Sequence, residues 1–234
     1  MNLIVISELF PPEETSTAYI MGEITKTLSD KYNVTIVCGP EVYDQNKLTV
    51  LPKSSLIAGV TTIRVKGIKE NKANKLSRIR KFLLMSWRLY KASKKVINKG
   101  DKVLLVSNPF PLLILMAFHR KKMDYEISFL AHDLFPEPLL MRFKLPNLVY
   151  RQCLNIFNRS YARMDKIISL GRDMTDVLRE KTMPYNPNLE IIQIENWGDI
   201  NSIYPMDTHS DSDKITIEYA GNMGKSQKLD ALIE

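Results

Sequence analysis

The sequence is poor in the residues that hold small extracellular domains or metal centres together. Its 234 residues include two cysteines, Cys38 and Cys153, which form neither a CxxC pair nor a cluster with histidine. The three histidines, His119, His132 and His209, are far apart in the chain, so no metal site is predicted. We interpret the cysteines as core residues of a protein from a reducing compartment.

Long hydrophobic runs and a secretory leader are also missing. The longest apolar stretch, 110–118, contains Pro111 and is about half of the ~20 residues that a membrane-spanning helix requires. The first residues, MNLIVISELF, lack a basic segment and a small-residue cleavage site, which argues against a signal peptide. We therefore expect a cytoplasmic protein that does not span a membrane.

Positive charge is abundant but confined to one segment. The net charge is +7, yet residues 64–99 carry 13 Lys and Arg against a single acid, Glu70. The remainder of the chain is therefore mildly acidic. Such a block predicts one face that meets an anion, either a membrane surface or a nucleic acid, with a merely solvated helix face as the alternative.

Short β-branched runs alternate with helical patterns along most of the chain. Runs such as LIVIS and VLLVS are almost continuously apolar, as in strands that are covered on both faces. The alternation predicts a doubly wound α/β domain with a parallel sheet, whose ligands bind beyond the carboxyl ends of the strands. The predicted strands are 3–7, 34–38, 61–65, 103–107, 126–130, 166–170, 191–194 and 215–219, and the predicted helices are 18–28, 76–97, 112–119, 148–164 and 174–181.

A change of composition predicts the domain limits. Residues 201–213 contain few large apolar side chains, together with Pro205 and several Asp and Ser, which is typical of a linker. A strand, a glycine-containing turn and a helix start follow it. We predict one domain over 1–200, a linker over 201–213 and, at 214–234, the first βα unit of a second, incomplete Rossmann-like domain.

Helix starts that follow strands provide the candidate anion sites. The first strand leads through FPPEETS to a helix that begins near Ser16 and Thr17. The free backbone N–H groups and partial positive charge of a helix N-terminus suit an anion. A second strand, turn and helix start, AGNMGKSQ, has Lys225 beside it. Two such helix starts facing each other from two domains would suit a nucleotide diphosphate.

Five short motifs occur in a fixed order along nearly the whole chain. They are PPE at 11–13, SNP at 107–109, DLFPE at 133–137, NWGD at 196–199 and YAGNMGKSQ at 219–227. Together they resemble the N-terminal half of a family 4 glycosyltransferase, of the retaining, two-domain GT-B type. The subgroup that the chain resembles most is that of the polysaccharide transferases, which serve O-antigen, capsule and exopolysaccharide biosynthesis.

The resemblance implies transfer of a sugar from a nucleotide-diphosphate sugar, such as a UDP-sugar, to a glycan acceptor that we expect to be lipid-linked. Retaining members need no metal or other cofactor, because helix N-termini and a lysine stabilise the leaving diphosphate. To the donor diphosphate we assign Ser16, Thr17, Gly221, Asn222, Lys225 and Gln227. To the acceptor cleft we assign Glu13, Ser107, Asn108 and Asn196.

Two carboxylates are candidates for orienting the acceptor. Asp133 and Glu137 stand in the DLFPE motif, directly after the fifth predicted strand. The alternative is that they cap a helix and belong to a surface turn. No strict protein base is implied, because in retaining members the departing phosphate itself helps to deprotonate the acceptor.

The basic segment predicts a helix that lies on a membrane. Apolar and small residues recur at i, i+3/i+4 and i+7 and predict one buried face. It is formed by Leu76, Ile79, Phe82, Leu83, Ser86, Leu89, Tyr90, Ser93, Val96 and Ile97. The residues that we expect to contact an anionic membrane surface are Arg78, Arg80, Lys81, Trp87 and Arg88. Nucleic acid is not expected as a partner, since no RNA- or DNA-binding motif accompanies the segment. The protein would then be peripheral on the inner face of the cell membrane.

A second function remains open at this point. The chain could be a non-catalytic, membrane-associated half of a split or truncated glycosyltransferase that needs a separate polypeptide with the donor domain. In both cases we expect the chain alone to be inactive, because a cleft with one wall cannot preorganise a leaving diphosphate.

Overall fold

The structure, a computed structural model, describes residues 1–41, 57–71, 74–138 and 146–198, together with residue 203, residues 217–221 and residue 229. Contacts divide the chain into two units, Met1–Asn196 and Trp197–Glu234. In the second unit, the described residues 217–220 form neither helix nor strand. The predicted domain and linker limits stay a prediction, because most residues after 198 lie outside the described ones.

A seven-stranded parallel sheet forms the centre of the first unit. In chain order its strands are β1 (Asn2–Ser7), β2 (Asn33–Cys38), β3 (Val60–Arg64), β4 (Lys102–Val106), β5 (Glu126–Ala131), β6 (Lys166–Ser169) and β7 (Glu190–Gln193). Their spatial order is β3-β2-β1-β4-β5-β6-β7, and every neighbouring pair is parallel. The order reverses between β1 and β4, which is where ligands bind in sheets of this kind.

Helices cover both faces of this sheet. They are α1 (Ser16–Ser29), α2 (Lys75–Ser93), α3 (Pro111–Arg120), α4 (Asn147–Tyr161) and α5 (Arg172–Thr182). Alternate residues of β1 enter two separate cores: Ile4 packs with Met85 of α2, and Val5 with Met21 of α1. Burial on both faces explains the almost continuous apolar runs of the strands. The predicted doubly wound α/β fold is confirmed.

The predicted elements agree with the structure except near the end of the chain. Seven predicted strands lie within one residue of β1–β7, and all five predicted helices are present. The predicted strand 215–219 is wrong for residues 217–219, and residues 215 and 216 lie outside the described part. A strand needs a hydrogen-bonded neighbour, and the described residues of the second unit offer none. The helix predicted at 76–97 ends at Ser93, because the chain turns toward β4 through Gly100, whose φ is 83°.

The predicted buried face of α2 is right in part: Ser86, Leu89, Ser93 and Ile97 are buried, and Phe82, Tyr90 and Val96 are half-buried. Three of its predicted core residues are largely exposed, with 74, 37 and 55% of their surface accessible: Leu76, Ile79 and Leu83. Lys81 and Met85 are buried instead, at 4 and 1%. The helix is turned so that Lys81 can reach Glu70, and apolar side chains that the pattern assigned to the core are left in solvent.

The two cysteines are free. Cys38 is fully buried at the end of β2, as predicted, and burial raises the pKa of its thiol to about 11. Cys153 on α4 is half-buried. Because the thiol of Cys38 is buried, it is unreactive. Among the helices that the structure describes, none is both long and apolar enough to cross a membrane.

Candidate functional site

The loop between β1 and α1 lines a cavity of about 460 Å³ at the carboxyl edge of the sheet. Its lining residues are Pro11, Pro12, Glu13, Glu14, Thr15, Ser16 and Tyr19. Thr15 is the N-cap of α1, and its hydroxyl accepts a hydrogen bond from the N–H of Ala18 at 3.2 Å. The remaining N–H groups of the first turn have no partner within the helix. The cavity therefore combines a helix N-terminus with a PPE loop, as the motif predicted.

Glycine permits the close approach of the segments behind this cavity. A Cβ on Gly39 would lie 2.4 Å from the carbonyl oxygen of Glu8, whereas the N–H of Gly39 donates to that oxygen at 3.0 Å. A Cβ on Gly22 of α1 would lie 2.7 Å from Cγ of Pro11. The backbones at the ends of β1 and β2 are thus in direct contact, and the ring of Pro11 packs directly on the backbone of α1 at Gly22.

Arg64 fastens the PPE loop to the edge of the sheet. It is the last residue of β3, and its guanidinium donates to the carbonyl oxygens of Pro11 and Gly39, the latter at 3.4 Å. A third hydrogen bond reaches Sγ of Cys38 at 3.5 Å. This role could not be predicted from local pattern, because the partners of Arg64 are 25 or more positions away in the chain.

A buried charged cluster lies directly behind β1 and includes Glu8, Glu70, Arg78 and Lys81. Nζ of Lys81 is 3.1 Å from Oε2 of Glu70 and 4.0 Å from Oε1 of Glu8, and Nε of Arg78 is 3.1 Å from Oε1 of Glu70. Glu8 is 4% exposed, and its Oε1 has no hydrogen-bond partner among the described residues. Burial raises the pKa of Glu8 to about 7, although Lys81 opposes the shift. The sequence analysis missed this cluster.

This cluster corrects one predicted membrane contact. Lys81 is buried and ion-paired, so it cannot touch a membrane. Arg78 is half-buried beside Glu70, and Arg88 donates to the carbonyl oxygens of residues 66 and 67 at 2.7 and 3.0 Å. Arg80 and Trp87 are exposed, Trp87 at 50%. The membrane prediction can therefore apply in full only to the outer side of α2.

The ends of β4 and β5 are joined through Ser107. Its hydroxyl accepts hydrogen bonds from the N–H groups of His132 and Asp133, at 3.2 and 3.1 Å. Ser107 is 3% exposed and positions the turn that carries Asp133; its assignment to the acceptor cleft stays a prediction. Asn108 is half-buried, and its carbonyl oxygen accepts from the N–H of Glu8 at 3.4 Å across the switch between β1 and β4.

Asp133 and Glu137 have different surroundings. Asp133 is exposed, and within the described part of the chain its carboxylate makes no hydrogen bond. Glu137 is ion-paired with the buried Lys181 of α5, so its carboxylate is committed to holding the loop. The loop is fixed further at Phe135, whose N–H donates to the hydroxyl of Tyr161 at 3.0 Å. Asp133 is thus the more open of the two carboxylates, whereas Glu137 pairs with Lys181 through Oε1 and keeps an Oε2 with no hydrogen-bond partner among the described residues.

His132 is a second residue that the sequence analysis did not assign to the site. It follows β5 directly, beside Asp133, and its Nε2 is buried with no hydrogen-bond partner among the described residues. Burial lowers its pKa, and the neighbouring Asp133 opposes the shift. The imidazole is therefore neutral at physiological pH. The three separated histidines had offered no pattern from which this position could be singled out.

The other predicted site residues lie apart or outside the described chain. Asn196 is exposed after β7, at the end of the first unit, and Gly221 is exposed in the second unit. Asn222, Lys225 and Gln227 lie outside the described residues. The described residues include no group of His, Cys, Asp and Glu that could hold a metal ion.

The first unit is a doubly wound α/β domain with a cavity at the carboxyl edge of its sheet. No family model matches the sequence. A curated protein of Pseudomonas aeruginosa named "Probable glycosyltransferase WbjE" is 23% identical over 99% of this chain. The chain spans 58% of the length of that relative.

Two solved structures share the fold. The N-terminal domain of a trehalose-6-phosphate phosphatase from Candida albicans superposes with a TM-score of 0.57 at 11% identity, over 83% of this chain and 48% of that one. A structure from E. coli, described as trehalose-6-phosphate bound with UDP-2-fluoro glucose, gives a TM-score of 0.52 at 14% identity, over 82% and 48%. At these identities the likeness shows the fold alone.

Proposed function

We propose that this chain is the acceptor-side part of a glycosyltransferase that moves a sugar from a nucleotide-diphosphate sugar to a glycan acceptor. The observation that carries the proposal is the agreement over 99% of the chain with a relative named as a glycosyltransferase. The cavity at the N-terminus of α1 supports it, because it lies where a doubly wound sheet binds its ligands. The five motifs add an independent reason.

The donor diphosphate would bind at the N-terminus of α1. Ser16 lines the cavity and Thr17 follows it in the first turn, where unpaired N–H groups and the helix dipole stabilise negative charge as the sugar departs. In the second unit we assign Gly221, Asn222, Lys225 and Gln227 to the same diphosphate. Because these donors stabilise the leaving diphosphate, the transfer would need no metal. Retention of the anomeric configuration is proposed from the resemblance to family 4 glycosyltransferases.

The acceptor would be oriented by Asp133. Its carboxylate is exposed, while Ser107 fixes its backbone through the N–H of the same residue. The neutral His132 beside it is held by the same hydroxyl. Glu13 in the cavity wall and Asn108 at the switch complete the proposed acceptor side, with Asn196 at the end of the unit. Because the departing phosphate takes the acceptor proton, none of these residues has to act as a strict base.

A lipid-linked acceptor would bring the protein to the inner face of the cell membrane, in polysaccharide biosynthesis. The outer side of α2 supports this part of the proposal. It exposes Leu76, Leu83, Leu84 and Trp87, at 74, 55, 41 and 50%, on the same helix as the exposed Arg80. Apolar and aromatic side chains among cations are typical of a helix that lies in an anionic membrane interface.

The proposal is tested by assaying transfer of labelled sugar from a set of nucleotide sugars to lipid-diphosphate-linked glycans in vesicles. The chain alone should give no transfer, and addition of a polypeptide with the donor domain of the relative should restore it. Asp133→Asn should then lower kcat by roughly 100-fold, as expected when a polar transition-state contact is lost. Asp173→Asn, in the first turn of α5, is the matched control and should leave kcat unchanged.

Three outcomes separate the alternatives. Transfer by the chain alone at ~1 per second or faster would show that it is a complete enzyme. Restored transfer that ignores Asp133→Asn would favour a non-catalytic, membrane-associated half that works with a separate donor-domain polypeptide. Absence of transfer with every nucleotide sugar, when the donor domain is supplied, would contradict the proposed activity.

A further inference from the structure

A second cavity, of about 430 Å³, lies between β3 and α2 and shares no lining residue with the cavity at α1. Four cationic side chains line it: Lys66, Arg88, Lys91 and Lys95. Among the residues that the structure describes, no acidic one does so. The volume is within the range of small-ligand sites, roughly 300–1,000 Å³. We call this feature the β3–α2 groove.

The wall of the groove is fixed by Arg88. Its guanidinium donates to the carbonyl oxygens of Lys66 and Gly67, which holds the segment after β3 against α2. Lys66 is thereby placed across the groove from Lys91 and Lys95, which come from α2 and the turn that follows it. The hydrogen bonds of Arg88 therefore bring Lys66, from the segment after β3, to the same groove as the lysines of α2 and its following turn.

The lysines of the groove carry uncompensated charge. Among the residues that the structure describes, no ion pair includes Lys66, Lys91 or Lys95. Elsewhere the chain does pair its lysines: Lys81 with Glu70, and Lys99 with Asp124 at 3.7 Å. A groove of four cations without an acid has the electrostatic complement of an anion with more than one negative oxygen, such as a phosphate.

The floor of the groove is apolar, which narrows the class of anion. It is formed by Ile63, Val65 and Val96, with no aromatic ring and no amide side chain that could recognise a nucleobase. On α2 itself, Leu84 and Trp87 stand one turn before Arg88 and Lys91 and are exposed at 41 and 50%. A phospholipid at a membrane surface matches all three features. Its phosphate suits the cations, its glycerol and methylene carbons suit the aliphatic floor, and the membrane interface suits an exposed tryptophan.

We propose that the β3–α2 groove binds the phosphate of an anionic phospholipid headgroup, with the glycerol and first methylenes of the lipid against Ile63, Val65 and Val96. This inference rests on the proposed membrane attachment and deepens it, since it replaces a general attraction to negative charge by a site for one headgroup. The cations Lys66, Lys91 and Lys95 bind the phosphate oxygens, and Arg88 holds the wall. Leu84 and Trp87 enter the interface beside the bound lipid.

The first test compares two double variants that remove equal charge from the same helix. Lys91→Gln with Lys95→Gln empties the groove of two cations, whereas Arg80→Gln with Lys94→Gln removes two exposed cations outside it. Binding is measured to phosphatidylcholine vesicles with and without phosphatidylglycerol. Loss of general electrostatic attraction should weaken the vesicle binding of both variants by about fivefold per charge. The groove variant should be weakened roughly tenfold more than its control.

The second test uses soluble probes, so that the groove can be judged without a membrane. In a Trp197→Phe background, Trp87 is the single tryptophan of the chain and reports binding by its fluorescence. Dihexanoyl-phosphatidylglycerol below its micelle concentration should bind saturably to the parent and not to the groove variant. Inorganic phosphate should bind roughly tenfold more weakly than this short-chain lipid, because it leaves the apolar floor uncovered.

Each possible result tests a different part of the proposal: the groove, the lipid or the membrane attachment. Equal losses in the two double variants would overturn the groove and leave a general membrane attachment standing. Inorganic phosphate that binds as tightly as the short-chain lipid would overturn the lipid in favour of a free phosphate. Short-chain lipid binding that persists when vesicles of phosphatidylglycerol do not bind would keep the groove and contradict the membrane attachment of the proposed function. Circular dichroism of both variants checks that they are folded.

Discussion

The two ends of α2 use the same kind of residue in opposite ways. Near its start, Arg78 and Lys81 are drawn to Glu70, and Lys81 is buried behind β1 close to Glu8. Near its end, Lys91 and Lys95 are exposed, and the described residues offer them no acid. The difference shows that neighbouring carboxylates decide whether a cation of this helix becomes part of the core or stays open to a ligand.

The largest expected effect comes from removing the buried cation. Lys81→Met leaves the carboxylates of Glu8 and Glu70 in the interior without their shared lysine. Loss of one partner from a buried ion pair costs about 3–5 kcal/mol. We expect a fall of that size in the free energy of unfolding at pH 8, measured with urea. Lys91→Met, at the open end, should change it by less than about 0.5 kcal/mol.

A further variant sharpens this comparison. If Lys81→Met is combined with Glu8→Gln, the remaining carboxylate, Glu70, keeps its ion pair with Arg78, and most of the lost stability should return. Equal effects of Lys81→Met and Lys91→Met would show that the two ends of α2 do not differ, and the buried cluster would lose its assigned role.

A second, smaller effect concerns pH. Burial raises the pKa of Glu8 to about 7, well above the ordinary value of a glutamate, so the folded protein holds this proton more tightly than the unfolded chain does. A raised carboxyl pKa stabilises the fold below the unfolded value, and this stability is lost as the pH rises through about 7. The loss is on the order of 3 kcal/mol. Glu8→Gln should flatten the urea-derived stability between pH 4.5 and 7.

The control for this experiment is a carboxylate far from the cluster. Glu180→Gln, on the exposed side of α5, should leave the pH profile of the parent unchanged. A profile that keeps its full slope in Glu8→Gln would mean that another group takes up the proton.

A third effect concerns the exposed cations of α2 and the dependence of vesicle binding on salt concentration. The Debye length falls from about 10 Å at 0.1 M to 3 Å at 1 M salt, so anionic vesicles should bind at low salt and release the protein at high salt. Arg80→Gln should weaken binding at low salt by ~1 kcal/mol, because one exposed cation of the surface is lost. Neutral vesicles serve as the control. The same rise in salt should change the urea stability of the parent much less, since the paired cations are buried.

Binding that is indifferent to salt would contradict this assignment. It would mean that apolar contacts of Leu83 and Trp87 outweigh the cations, or that the outer side of α2 is only a solvated face. The variant Trp87→Ala distinguishes these two cases in the same vesicle assay, because it weakens binding only in the first.

The smallest effect is expected from the groove in the absence of ligand. Lys91→Gln and Lys95→Gln remove like charges that repel one another, so each should leave the free energy of unfolding within about 0.5 kcal/mol of the parent or raise it slightly. A fall of more than about 1 kcal/mol would show that these lysines stabilise the fold, and an anion site would then be a poor description of the groove.

Local pattern was enough to predict the strands and helices of the first unit. The buried strands are apolar on both faces, and the helices repeat at a period near 3.6, so each element is recognisable from its own residues. The place of the ligand crevice followed as well, because parallel strands direct their carboxyl ends to one edge. The cavity at Glu13 and Ser16 lies at that edge, directly after β1.

The side-chain roles could be predicted only in part. The DLFPE motif made Asp133 and Glu137 equal candidates. In the structure, Lys181 of α5 forms an ion pair with Glu137, whereas Asp133 is exposed. Ser107 was assigned to the acceptor cleft from its motif. In the structure it is buried, and its hydroxyl holds the turn that carries Asp133. In each case the partner that decides the role is more than 20 positions away in the chain.

The sequence by itself determined the doubly wound α/β fold, the carboxyl edge as the place of the site and the basic character of α2, because these follow from periodicity and composition within short windows. Only the tertiary structure decided which way α2 turns. Its hydrophobic pattern favoured Leu76 and Leu83 for the core, but Glu8 and Glu70 lie where Lys81 can reach them, and an ion pair with a distant carboxylate leaves no periodic trace.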